Sequence, residues 1–227
     1  MEAIILDDIP FLPDLEKITR ELRVKAGSSG ERMLNKLLQQ AQDIGRPKAM
    51  YKIAPVELVS DDCVIIEGRQ FQSRVMRVNL ESSHRVFLYV ATCGIELYDW
   101  EQGLEDSLER YYAFSINGYA LAAAKEVMLS HMQTTFHIRD SATMNPGSLE
   151  DWPIEAQVPL FALLGDPQVN IGVRLLDSLL MLPNQSVSGL RFETDSGYVN
   201  CQLCPMEDCP NRRAPFDNQL YARKYGA

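Results

Sequence analysis

Three histidines and two tryptophans in 227 residues leave little material for several kinds of active site. His131 and His137 stand six apart, on different sides of any helix that carries both, so they offer no metal pair. No Gly-x-Ser-x-Gly elbow is present, which removes the usual setting of a Ser/His/Asp hydrolase. No apolar run approaches the roughly 18 residues that a membrane span needs. Residues 1–8 carry acids where a signal peptide would carry bases, so export is not expected and a cytoplasmic location is. Basic residues are scarce too, 22 against 31 acids, and a net charge of -9 argues against a general nucleic-acid binder. Neither a membrane nor a nucleic-acid partner is expected. Five cysteines, three of them within 201–209, are an odd number that suits reduced thiols better than a disulfide framework.

What remains is an ordinary globular composition, 46% hydrophobic and 23% charged, of a length suited to one domain. Residues 1–45 form an N-terminal helical segment and 46–216 the core with a Cys-rich tail. Ile9, Leu12, Leu15, Ile18 and Leu22 predict a helix over 9–25, followed by a Gly-Ser-Ser-Gly linker at 27–30. A second helix carries Met33, Leu34, Leu37, Leu38 and Ala41 and stops at Gly45 and Pro47. The period then changes, predicting strands at 50–53, 56–59, 63–66 and 86–91, with a short helix within 71–80. Residues 97–136 read as helix again, in two pieces divided at Asn117-Gly118, and the Ala122-Ala123-Ala124 run suits tight packing better than a ligand surface. A strand begins at Ser186, and 192–200 reads as a hairpin around Asp195-Ser196-Gly197. Short strands without βαβ alternation predict an α+β fold, an antiparallel twisted sheet packed with helices.

The most informative stretch is 145–192. It holds the turn Asn145-Pro146-Gly147-Ser148, then Asp151-Trp152-Pro153 before a short helix, then Pro183-Asn184-Gln185 and Ser186-Val187-Ser188-Gly189-Leu190. Earlier come Pro47-Lys48 before an aromatic strand, Phe71-x-Ser73 before a helix, and Ala91-Thr92-x-Gly94-x-Glu96-Leu97. In this order the words resemble the activation domain of cobalamin-dependent methionine synthase, especially its stand-alone form, over about 46–216.

The resemblance implies a methionine synthase activation domain-like fold and an accessory role. In that family S-adenosylmethionine is the methyl donor for reductive remethylation of an inactive cobalamin. The cobalamin rides on a separate corrinoid-binding protein or domain, and a flavodoxin- or ferredoxin-like protein donates the electron. Asn145, Gly147 and Tyr198 match S-adenosylmethionine-binding positions; no catalytic residue is implied. The family's turn arginine, turn tyrosine and helix glutamate correspond here to Thr143, Ser148 and Ala123. Two charge-assisted contacts of about 1.5 to 3 kcal/mol each are thereby lost, weakening S-adenosylmethionine by roughly two to four orders of magnitude unless Lys125, Glu126 or Arg139 substitutes. A shallow groove is expected between the helix around Ala123 and the strand at Ser188. The chain lacks Asp-x-His-x-x-Gly, so it is not expected to carry cobalamin itself.

Cys201-x2-Cys204 with Cys209 five residues on could bring three thiolates to one zinc ion or iron-sulfur cluster, Cys93, Asp208 or a partner completing the set. Three reduced thiols in a turn-rich tail are the equal alternative. A metal centre there defines a second functional reading, an electron-transfer or metal-binding protein on the same scaffold without S-adenosylmethionine. Similar tails among stand-alone members of the family lend it support.

Overall fold

The computed structural model describes residues 2–206, 208–209 and 212–226. Its centre is a seven-stranded sheet, antiparallel at every pairing. In chain order the elements are β1 (Ile4–Leu6), α1 (Leu15–Glu21), α2 (Ser29–Ile44), β2 (Lys48–Ser60), β3 (Cys63–Ile66), β4 (Arg69–Gln72) and α3 (Arg74–Asn79). There follow β5 (Arg85–Thr92), α4 (Ile95–Gln102), α5 (Ser107–Phe136), β6 (Ser141–Met144), α6 (Gln157–Leu164), α7 (Pro167–Ile171), a small pair β7 (Arg174–Leu175) and β8 (Met181–Leu182), and β9 (Ser186–Glu193). The sheet order is β4-β3-β2-β5-β9-β6, with β1 also on β2. The expected fold class is the one found.

Alternation along the strands divides the chain into layers. Tyr51, Phe87, Tyr89 and Ala91 meet Ala124, Met128 and Met132 of α5 on one face. Val86, Leu88, Val90, Leu190 and Phe192 point the other way, into a core shared with Trp152, Leu160, Phe161, Tyr198 and Tyr225. The first half of α5 serves a third cluster, where Tyr112, Ile116 and Ala120 pack on Leu34, Leu37 and Leu38 of α2 and Leu97 of α4.

Several boundaries differ from the sequence reading for local reasons. The first helix starts only at Leu15, after Pro10 and Pro13, where Asp14 caps it by accepting from the Lys17 amide at 3.0 Å. The supposed linker is a cap: Ser28 Oγ accepts from the Glu31 amide, while Glu31 Oε2 accepts from the Gly27 amide at 2.7 Å. Strands 50–53 and 56–59 are one 13-residue strand. Pro55, which has no amide to donate, stands where β2 leaves β5 and turns to β3. Asn117-Gly118 does not divide α5, because Asn117 Nδ2 turns away from the backbone to Glu101 Oε2 at 2.7 Å and the Leu97 carbonyl at 3.2 Å. The hairpin is not formed. After β9 ends at Glu193 the chain leaves the sheet, and Tyr198 enters the core instead of a ladder.

Glu101 is a buried acid whose one strong partner is a neutral amide, and desolvation raises its pKa. Asn117 Oδ1 beside it is buried without a donor. Above the ordinary glutamate pKa of about 4.3 the folded state therefore holds more proton than the unfolded chain, so stability falls as pH rises through the raised value. A glutamine could accept from Asn117 Nδ2 and donate to its Oδ1. Glu101→Gln is expected to raise Tm at pH 7 by about 2–4 °C, the shift that ~1 kcal/mol gives at this size, and to remove that part of the pH dependence. Thermal unfolding between pH 4 and 8 checks this; a variant less stable than wild type at pH 7 would refute it.

Candidate ligand-binding groove

The helix α5 packs over β2 and β5. The next strands, β9 and β6, carry Gly189, Arg191, Thr143 and Asn145 on the same face, since their alternate residues Leu190, Phe192, Ala142 and Met144 fill the opposite core. Beside α5 a cavity of about 480 Å³ opens, lined by Ala122, Lys125, Glu126, Leu129, Ser130 and Arg191. The five helix residues recur at three- and four-residue steps, so they form one wall. Ala122 and Lys125 also line a second cavity of about 410 Å³ that continues along α5 to Lys17, Glu21 and Gln185. Together they make an open groove of a size suited to a small molecule. The alanine run divides its work. Ala124 is buried on the sheet, whereas Ala122 lines the groove.

Asn145 stands at the end of β6. Its carboxamide donates to the Ser188 carbonyl at 2.7 Å and to Tyr89 Oη at 2.8 Å, extending the ladder past the last backbone pair. Gly189 lies beneath this crossing. A Cβ there would come within 2.4 Å of the Met144 carbonyl, 2.6 Å of Asn145 Nδ2 and 2.8 Å of Tyr89 Oη. The glycine of the Ser-Val-Ser-Gly strand is thus required by close approach, which no hydrophobic pattern reveals. Burial pushes the Tyr89 hydroxyl up to about 12, so it stays protonated.

The chain turns at Asn145-Pro146-Gly147-Ser148, with the Ser148 amide donating to the Asn145 carbonyl at 3.2 Å and Gly147 at φ +77°. Proline followed by a positive-φ glycine is the pattern of a type II turn. Gly147 donates to the Trp152 carbonyl and faces the Ile154 side chain. Tyr198 Oη donates to Asn200 Oδ1, Asn200 Nδ2 donates to Ser148 Oγ at 3.0 Å, and Ser148 Oγ donates to the Asn145 carbonyl. The three residues carried over from the resemblance, Asn145, Gly147 and Tyr198, therefore belong to one hydrogen-bonded unit. They do not share a face, however. The Asn145 carboxamide lies on the α5 side, while the Tyr198 ring packs on Phe192 in the opposite core, 7% exposed.

Of the three charged alternatives named by sequence, two are at the groove and one is not. Lys125 and Glu126 line the groove; Arg139 is exposed in a separate cavity with His137, Asp140 and Glu193. Sequence reasoning passed over Arg191, 9% exposed on β9, whose Nη1 reaches Thr143 Oγ1 at 3.3 Å and whose buried Nε has no partner. A charged residue inside the apolar run Leu190-Arg191-Phe192 was the readable signal.

The cysteine tail is built otherwise than its spacing predicts. Among the described residues no group of three His, Cys, Asp or Glu side chains is placed to hold a metal ion, and Cys201, Cys204 and Cys209 are free thiols. The loop is folded around a cation of its own. Arg212 donates through Nη1 to the carbonyls of Cys201 and Ala214 at 2.9 Å, and through Nη2 to those of Cys204 and Met206. The backbone of the loop is thus organised by a guanidinium, through the carbonyls of two of its cysteines. Cys93 is remote as a fourth ligand, being fully buried in the cluster of α2, α4 and α5 with its thiol pushed up to about 12 by desolvation. Glu207, Pro210 and Asn211 lie outside the described residues.

A cavity of about 510 Å³ lies between this tail and the 145–157 strap, lined by Val75, Asp151, Leu203, Phe216 and Tyr221 among others. It is slightly larger than either cavity of the groove taken singly, yet its central acid is already used: Asp151 accepts from Ser73 Oγ, the Arg74 and Val75 amides and Tyr221 Oη. That is the capping of α3, a structural task. The groove, with a buried donor unspent, is the better candidate.

The architecture is similar to that of the MetH reactivation domain, solved in a crystal structure bound to AdoHcy, with a TM-score of 0.63 at 14% identity over 87% of this chain and 80% of that one. The protein has the fold of that domain. No family model matches the chain, and no curated protein matches its sequence.

Gly189→Ala is expected to force Asn145 off Tyr89 and lower stability by about 1–3 kcal/mol, as overpacking does. Asn145→Ala, which removes two donors, should cost about as much, and the double variant less than the sum of the two because both break one crossing. Denaturant unfolding of the three variants measures it. Additive losses would separate the glycine from the carboxamide.

Proposed function

We propose that the protein binds S-adenosylmethionine, or the S-adenosylhomocysteine left after methyl transfer, in the groove between α5 and the β9–β6 pair, as an accessory to a corrinoid-binding protein. In this reading it presents the methyl donor to a cobalamin carried by the partner, while a flavodoxin- or ferredoxin-like protein supplies the electron for reductive reactivation. The observation that carries the reading is the groove itself, at the place between helix and Ser-Val-Ser-Gly strand where the resemblance calls for one. The fold of a domain known bound to AdoHcy supports it. So do the chemical groups available: cations at Arg191 on the floor and Lys125 on the wall, an acid at Glu126 and apolar surface at Ala122 and Leu129 suit a ligand with one zwitterionic and one aromatic end.

Chemistry on this reading comes from the ligand and the partner's cobalamin. The protein's residues bind and orient. The Asn145 carboxamide fixes the β6 end of the floor, Gly189 lets the two strands close beneath it, and α5 supplies the wall.

Calorimetric titration with S-adenosylmethionine and with S-adenosylhomocysteine is expected to give one-to-one binding with Kd between roughly a micromolar and a millimolar. Ala122→Trp, a substitution at an exposed helix position that fills the groove, should abolish both signals and leave the unfolding midpoint within a few degrees of wild type. Absence of saturable heat with either ligand, or full binding by the Trp variant, would reject this location.

A further inference from the structure

Arg191 is a residue of the groove whose placement costs the fold something. A guanidinium offers five N–H donors and cannot shed its charge, so burying it demands acceptors. Here Nη1 has a neutral hydroxyl at 3.3 Å, Thr143 Oγ1, and Nε has none. No acid forms a salt bridge with it among the described residues. Its surroundings add positive charge instead. Arg213 lies close enough to act electrostatically on both Arg191 and Lys125, and all three stand near the protonated Tyr89 hydroxyl or on the groove wall. Burial and this mutual repulsion pull the pKa of Arg191 and of Lys125 downward. Arg191 and Lys125 line the groove together, and the one acid beside them, Glu126, forms no salt bridge with Arg191 among the described residues.

The geometry points to Arg191, backed by Lys125, as a subsite for the carboxylate of an α-amino-acid group. Register explains its position. Arg191 is the cross-strand partner of Thr143, and its guanidinium lies against the Thr143 hydroxyl. Arg191 thereby brings its charge to the level of Thr143 at the β6 side of the sheet. Arginine suits the task because its fork can meet both carboxylate oxygens at once. Glu126, on the same wall one residue from Lys125, selects the class of anion: it would pair with an ammonium and repel a phosphate dianion. A zwitterion satisfies both charges. The subsite rests on the groove reading above for the identity of its ligand, but the anion-binding property stands on the residues alone.

Two measurements separate these. In calorimetry, wild type is expected to bind S-adenosylhomocysteine at least tenfold more tightly than 5′-methylthioadenosine, which lacks the amino-acid end. Arg191→Gln should bring S-adenosylhomocysteine down to the methylthioadenosine level with methylthioadenosine itself unchanged, and Lys125→Ala should lose several-fold. Equal affinity of wild type and Arg191→Gln for S-adenosylhomocysteine overturns the subsite while leaving the groove reading intact. In thermal unfolding at constant ionic strength, acetate should raise the midpoint of wild type and not of Arg191→Gln. If neither nucleoside binds, the groove reading fails and acetate decides alone: a rise that depends on Arg191 supports the subsite, and no rise overturns it. Should Arg191→Gln fold poorly, Arg191→Lys, which keeps the charge and loses the fork, takes its place, with partial loss of S-adenosylhomocysteine affinity expected and an unchanged affinity decisive against.

Discussion

A helix with its side chains is about 10–12 Å across, while neighbouring strands lie about 4.8 Å apart, so one helix covers little more than two strands. The helix α5 spends that width on β2 and β5. Beyond them β9 joins the α5 core through Val187, and the rest of the β9 and β6 face has a composition of its own. Towards the covered core they send Ala142, Met144, Leu190 and Phe192, all buried. Towards the uncovered side they send Thr143, Asn145, Gly189 and Arg191. Past Val187, which packs on the α5 core, further valine or isoleucine would make an apolar patch; with small and polar residues the face is a floor.

A floor at a sheet edge needs fixing, because β6 pairs with β9 alone. Two devices supply this from opposite layers. On the α5 side the Asn145 carboxamide bridges to β9 and β5 across Gly189. On the far side the strap beginning at the Pro146-Gly147 turn is held by Trp152, buried edge-on against Phe71, and by Asp151, which caps α3. Ser148, Asn200 and Tyr198 join the strap to the tail that follows β9. Displacing Tyr198 would therefore move the turn from behind, although its ring lies in the other layer.

The fold was legible where periodicity speaks of one neighbour at a time. Apolar and alternating runs located β2 and β5, the turn before the Ser-Val-Ser-Gly step located β9, and three-four spacing located α2 and α5. It was illegible where a single side chain overrules the local signal. Asn117-Gly118 reads as a break until Glu101 and Leu97 are seen to occupy the Asn117 carboxamide. Asp195-Ser196-Gly197 reads as a hairpin turn until Tyr198 finds Phe192 and Asn200. The cysteine spacing had the form of a ligand loop, but the loop's organising group is Arg212, reached across eight and eleven residues by carbonyls that every sequence possesses. At the groove, Asn145 and Gly147 were readable as a turn and Gly189 as part of a recognisable strand. The role of Gly189 needed the coordinates, since it depends on what crosses above it.

Arg191 shows why a binding site and a stable core make opposite demands on one strand. For stability alone a methionine or leucine between Leu190 and Phe192 would serve better, because an ion buried without full pairing forfeits hydration that its few contacts do not restore. A buried cation of this kind is stabilised by whatever brings the missing acceptors. An anion that binds the folded protein and not the unfolded chain adds RT ln(1 + [L]/Kd) to stability, so the energetic deficit at Arg191 and the affinity of the groove are two aspects of one quantity. The same reasoning separates it from Arg212. There four carbonyls already surround the guanidinium, the charge is satisfied by the chain itself, and its work is to hold a tail in place. Arg212, whose acceptors come from the chain, builds the fold; Arg191, with one hydroxyl acceptor and an unpartnered Nε, keeps the donor on which the proposed subsite rests.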